Sequence, residues 1–147
     1  MAVSLTLCRK FYVSTFNKEL DVDSDTWKVS LHTSGWTPAQ DTDQYHSTPS
    51  NELAASGNYS TGGATISPLS VGVATTKQAN ITGSNAAWTA LTMSAAARYA
   101  SIYDSTPGTE ATRPLLGWVD FGADQTVAGA NFTISWAAGG IAVFSVA

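Results

Sequence analysis

Asp21, Asp23 and Asp25 alternate within five residues and form the one acidic cluster with metal-like spacing. An EF-hand calcium loop opens this way, but it requires glycine at its sixth position and glutamate at its twelfth. Thr26 and His32 stand there instead, which excludes that motif. The cluster reads first as a polar turn between two elements, with a loop-bound cation as the alternative. His32 and His46 are the only histidines, and neither sits beside a second ligand at zinc-site spacing. Asp41, Asp43 and His46 share one polar segment, where a metal or acid–base site is the minor reading.

Nucleophilic chemistry finds little more. Serine is abundant, yet no Gly-x-Ser-x-Gly elbow occurs. Cys8 is the sole cysteine, so no intramolecular disulfide forms, and without activating neighbours it reads as a buried or interfacial thiol. Gly62-Gly63 and Gly139-Gly140 lack the Lys-Ser/Thr of a phosphate loop and precede strands rather than helices. A carboxylate pair for glycoside chemistry stays open, because its members can be distant in the chain. Five tryptophans raise a carbohydrate platform; at least three lie in strand-like patterns, and Trp36 in Ser-Gly-Trp-Thr-Pro is the best candidate for exposure. The reading is a non-enzymatic protein with no cofactor.

The elements around these residues are mostly strands. Thr26–His32 alternates, with Trp27, Val29 and Leu31 inward and Lys28, Ser30 and His32 outward. Further strands are expected at Ala64–Ser67, Val71–Thr76 and near Asn80–Thr82, while Ala86–Leu91 is ambiguous between strand and loop. Arg98–Tyr103, Leu115–Phe121, Phe132–Trp136 and Ile141–Val146 complete the set, the last reading as buried on both faces or touching a neighbour subunit. Asp104–Gly108, Gly122–Asp124 and Gly139-Gly140 separate them as turns or loops. In residues 9–20, Tyr12, Phe16 and Leu20 fall at i, i+4 and i+8, with Val13 and Leu20 seven apart, predicting one short helix laid against a sheet. Residues 33–63 carry repeated turn signals and form a long connection, in which Asn51–Ala55 is expected to supply a helical turn. The expectation is an all-β, antiparallel, jelly-roll-like β-sandwich spanning 1–147 as one domain, with 1–10 as an extended N-terminal arm.

Composition narrows the partners. Charged residues make up 12% of the chain, well below the ~25% of typical soluble domains. A surface so poor in charge is expected to be partly covered by other protein. Arg9, Lys10, Lys18, Lys28, Lys77, Arg98 and Arg113 are scattered and the net charge is −4, which argues against nucleic acid. No apolar run reaches the 18 residues of a membrane helix, and the first residues lack a signal-peptide pattern, so membrane insertion and secretion are not expected.

Several blocks then stand out in order: Asp23–Pro38, Gln40–Tyr45, Asn51-Glu52, Tyr59–Ile66, Arg98–Tyr103, Pro114–Gly122 and Asn131–Trp136. Together, over residues 9–147, they resemble a family of small virion structural proteins of tailed bacteriophages. Met1–Cys8 departs from that pattern in being more apolar. The resemblance implies a head decoration (cement) protein made in the host cytoplasm and carried on the capsid surface. Its partners would be the major capsid protein and, by analogy with other decoration proteins, two further copies in a homotrimer. A tail, neck or fibre component is the alternative, with a carbohydrate-binding module more remote. The N-terminal segment and the 33–63 connection are the expected contact regions, with Arg9, Lys10, Trp36 and Tyr45 as candidate interface residues.

Overall fold

Short β-branched and aromatic runs separated by turn residues fold as strands when several can pool one apolar face. A computed structural model describes residues 2–145. In chain order the elements are β1 (Ala2–Val3), β2 (Thr6–Leu7), α1 (Lys10–Phe16), β3 (Trp27–His32), β4 (Ala64–Thr65), β5 (Ser70–Thr75), β6 (Gln78–Thr82), β7 (Ala86–Thr92), β8 (Ala97–Asp104), β9 (Leu115–Gln125), β10 (Ala128–Trp136) and β11 (Ala142–Ser145). One sheet has the order β2-β9-β8-β3-β4, and two smaller ones run β1-β10-β7 and β11-β6-β5. Every pairing is antiparallel except β1 with β10. The fold is an all-β, sandwich-like arrangement with one helix.

One hydrophobic cluster draws on all three sheets. Trp27, Val29 and Leu31 of β3, with Ala100 and Ile102 of β8, meet Trp88 and Leu91 of β7, Phe132 and Ile134 of β10, and Ile81 of β6. The inward face of β3 is the one its alternation predicts. The ambiguous 86–91 segment is a strand, with Trp88 buried as its anchor.

Five expectations are corrected, each for an identifiable reason. Helix α1 buries Phe11 and Ser14, while Tyr12, Val13 and Phe16 are exposed. It stops after seven residues, with Lys18 in the left-handed region at φ +58°, so Leu20 lies beyond it and the i, i+4, i+8 stripe never forms. Gly122–Asp124 is not a turn but lies inside β9, where five residue steps match two along β8 (Ala97 with Gln125, Tyr99 with Asp120). Gly122, at φ +76°, accommodates that irregularity. Asn51–Ala55 forms no helical turn; Leu53 N–H donates to the Leu31 carbonyl at 2.9 Å and Glu52 bridges His32, extending β3's edge beyond β4. The described part of the 1–10 segment is no free arm: β1 pairs with β10, β2 pairs with β9, and Cys8 N–H donates to the Leu116 carbonyl at 3.0 Å. Its apolar residues Val3, Leu5 and Leu7 pack on the core, which is where an apolar segment gains most. β11 is a sheet edge with Val143 exposed rather than a strand buried on both faces, and Val146 lies outside the described residues.

The largest departure is on the second face of the five-stranded sheet. Residues 33–63 fold over it, so Ser30 and His32, read as outward, are fully buried. The turn into β4 depends on Gly63, at φ +73°, where an added Cβ would lie 1.8 Å from the Val29 carbonyl oxygen. Gly63→Ala is therefore expected to lower stability by about 2 kcal/mol or more. Gly108→Ala, which meets nothing within 4 Å, is expected to change it by less than about 0.5 kcal/mol. Urea-unfolding midpoints of the two variants check this.

Candidate functional site

The buried second face brings together residues far apart in the chain. Register pairs Ser30 of β3 with Ser101 of β8, and His32 with Tyr99. The 33–63 connection then lowers His46 and Trp36 onto this face. His46 N–H donates to the Arg113 carbonyl at 2.8 Å, and its ring stacks on Tyr103 with centroids 3.6 Å apart. Trp36 packs at 4.9 Å from His32 and 5.8 Å from Tyr99. Four polar side chains end within reach of one another: Ser30 Oγ lies 2.7 Å from Ser101 Oγ, 3.0 Å from His32 Nε2 and 3.1 Å from His46 Nε2.

Hydrogen counting orders these contacts. His32 Nδ1 faces the Ser50 carbonyl at 3.0 Å and must donate to it, which leaves Nε2 as an acceptor. A one-way chain then uses each proton once. His46 Nε2 donates to Ser30 Oγ, Ser30 to Ser101, and Ser101 to His32 Nε2 at 3.1 Å. His46 Nδ1 is left as a bare acceptor with no hydrogen-bond partner, 3.8 Å from Glu110 Oε1. Burial, with smaller charge effects from His32 and Arg113, holds the His46 pKa down at about 3. Burial likewise holds His32 at about 4 despite the Ser50 bond. A serine hydroxyl bonded to imidazole is the start of a nucleophile–base pair. Here Ser30, His32 and Ser101 have 0% exposure and His46 has 3%, so the hydroxyls are sealed from any substrate and the chain acts as a polar bolt.

The acidic triplet is likewise absorbed into the fold. Asp21 Oδ1 accepts from the N–H of Asp23 and Ser24, Asp25 Oδ2 accepts from Asp21 N–H, and Asp23 Oδ1 accepts from Val71 N–H at 3.0 Å. Among the described residues no three His, Cys, Asp or Glu side chains are grouped to hold a metal ion. Asp25 also neighbours Asp104, which is fully buried and has one oxygen on Thr106 N–H at 2.8 Å and the other without a partner. Burial first, then the nearby Asp25 carboxylate, raises the Asp104 pKa. Asp41, Asp43 and His46 do not converge on a common site. Asp41 pairs with Arg9 at the surface, Asp43 accepts from Ala39 N–H, and His46 joins the serines. Cys8 is buried beside Tyr103 and Leu115, its pKa pushed up to about 12 by burial and then by Asp43.

Of the candidate interface residues, three lie along α1 and the 39–45 loop strapped to it. Arg9 N–H donates to the Gln40 carbonyl, Gln44 donates to Ser14 Oγ, and Tyr45 O–H donates to Glu19 Oε2 at 3.2 Å. Arg9 and Lys10 line one shallow depression with Val13 and Asp41; half-buried Tyr45 lines another with Glu19, Pro107 and Thr112. Trp36 is a correction: it is buried over His32 and Tyr99 and offers no exposed ring. Trp27 and Trp88 are also buried, and Trp118 and Trp136 are half-buried. Sequence reading missed Ser30, Ser101, Tyr103 and Asp104, because only strand register and loop coverage bring them to these sites. The chain matches no family model, no curated protein and no solved structure. Among the described residues no helix is long and apolar enough to cross a membrane.

The two buried imidazoles carry a pH signature. Unfolded rings take up protons below about pH 6.5, whereas the folded ones resist until about 4 and 3. Their stabilising contribution is thus full above pH 6.5. It is lost as pH falls, at up to about 1.4 kcal/mol per unit for each ring. His46→Phe keeps the stack on Tyr103 and removes one titration. The stability difference between wild type and this variant is expected to shrink or reverse in the variant's favour from pH 7 to pH 4.5, read from urea unfolding at each pH.

Asp104 has the opposite sign. Its raised pKa means the folded state keeps a proton that the unfolded chain releases, so that contribution is lost as pH rises through the folded value. Asp104→Asn mimics the protonated form and is expected to add about 1 kcal/mol at pH 7.5. The gain should vanish near pH 4, and a loss of stability at pH 7.5 would contradict it.

Proposed function

We propose that this chain is a structural protein of a tailed-bacteriophage particle, a head decoration protein that binds the major capsid protein on the assembled shell. The observation that carries the reading is where the chemistry-bearing side chains go. Ser30, His32, His46 and Ser101 bolt one face of a sheet, and Asp21, Asp23 and Asp25 hold backbone N–H groups. What faces outward is largely small, uncharged or apolar, with Phe16 and Val73 almost bare. Such a surface suits wide protein contacts. The ordered blocks over residues 9–147 that resemble virion structural proteins support the same reading.

The activity would be mechanical. A protein that binds only the assembled shell stabilises that state by mass action, and bracing neighbouring subunits opposes outward pressure from packed DNA. Arg9, Lys10 and Tyr45 are the contact residues on the α1 and 39–45 surface. A sugar platform would need an exposed Trp36, and that ring is buried.

Immunogold imaging of purified particles is expected to label heads densely, while label confined to necks or tails overturns the head assignment. Deleting the first ten residues is unsuitable as a test, because their described part pairs in two sheets. The double variant Arg9→Glu/Lys10→Glu is the better probe. The exposed Arg9–Asp41 pair contributes no more than ~1 kcal/mol to folding. Shell occupancy is expected to fall about tenfold with the unfolding midpoint nearly unchanged.

A further inference from the structure

The β11-β6-β5 sheet has one apolar face that α1 only half covers. Register places Val71, Ile81 and Ala142 in one row across it and Val73, Ala79 and Phe144 in the next. Phe11 stacks on Phe144 at 6.3 Å and Tyr12 meets the same ring edge-on at 6.2 Å, so the helix covers the β11 side. Toward β5 the cover ends. Val71 is 52% exposed, Val73 86%, and Phe16 on the helix flank 82%. Phe11, Tyr12, Val22, Val71, Ile81 and Phe144 line the apolar groove between helix and sheet.

β5 is also an edge strand, with Asp23 met on its outer side at Val71. All six of its residues are exposed, and among the described residues no strand pairs with its outer side. Val71 N–H points away from β6, to Asp23 Oδ1 at 3.0 Å. By the two-residue period of the ladder, Val73 presents its backbone N–H and C=O on that same outer side. An uncharged, apolar edge strand of this kind is a template for another strand. Lys77 is the only charged residue from Ser70 to Thr82, and it sits at the hairpin tip.

We infer that two copies of this chain pair antiparallel along β5, about a two-fold axis near Val73, to form a dimer. The charges select this occupant. The acidic turn of Asp21 and Asp23 lies at the start of β5 and Lys77 lies just past its end, so an antiparallel partner sets each Lys77 toward the other copy's acidic turn. A two-fold contact is self-complementary in this way without a second kind of surface. An exposed apolar patch adjoins this edge, with Tyr12 at 45%, Phe16 at 82%, Val71 at 52% and Val73 at 86% exposure. The state is a dimer, in place of the trimer that the virion resemblance implies, and it stands independently of that resemblance.

Light scattering on the eluting full chain tests the inference over a range of concentrations. Wild type is expected to reach twice the 15.3 kDa chain mass at high concentration. Val73→Pro, which removes the outward N–H, and Val73→Asp are each expected to weaken dimerisation about tenfold or more, with circular dichroism unchanged. Should the proline variant unfold, the aspartate one decides. Val73→Cys is expected to form an intermolecular disulfide on mild oxidation, and Val143→Cys, on the opposite face of the sheet, is not. A monomer at every concentration, a trimer, or a dimer indifferent to Val73→Asp would overturn the inference.

Discussion

Strand β3 is buried on both of its faces, and much of the molecule follows from meeting that condition. One face carries Trp27, Val29 and Leu31 and needs only apolar company, which β7 and β10 supply. The other carries Ser30 and His32, and polar groups removed from water cost free energy unless bonded. Ser101, His46 and the Ser50 carbonyl meet that need in one ordered chain. To deliver His46 and Ser50, the 33–63 connection must cross the sheet, and it is pinned there by the Gln44–Leu115 and His46–Arg113 backbone bonds. A long loop with little regular structure is thus tied down by what it covers.

The same economy governs the carboxylates. Glu52 accepts from Tyr59 O–H at 2.8 Å and from Gly62 N–H at 2.6 Å, joining the connection to the turn that starts β4. Asp23 ties the turn after α1 to β5, and Asp43 closes the loop beside Cys8. These acids act as fasteners between segments distant in sequence. With few charges in total, using them this way leaves broad stretches of exterior without any. That leaves an exterior poor in charge, which favours contact with protein.

Strand positions were largely legible. β3, β8, β9 and β10 begin within a residue of their expected starts except β10, which starts four earlier, because alternation of β-branched and aromatic residues is a local signal. Errors came where one local pattern serves two structures. Gly122 reads as a turn, but a left-handed glycine serves equally in a strand irregularity. Tyr12 and Phe16 read as a buried stripe, but the helix ends too soon and turns Phe11 inward instead. Of the candidate surface residues, Arg9, Lys10 and Tyr45 fall on adjoining elements, whereas Trp36 does not reach the surface.

Sequence alone determined the all-β class, the apolar face of β3 and the scarcity of charge, since each follows from residue type and a period of two. Tertiary structure alone decided that Ser30, His32, His46 and Ser101 meet, that Trp36 is covered, and that among the described residues no strand pairs with the outer side of β5. Alternation records which residues share a face of a strand. It does not record what covers that face, because cover comes from register and from loops tens of residues away.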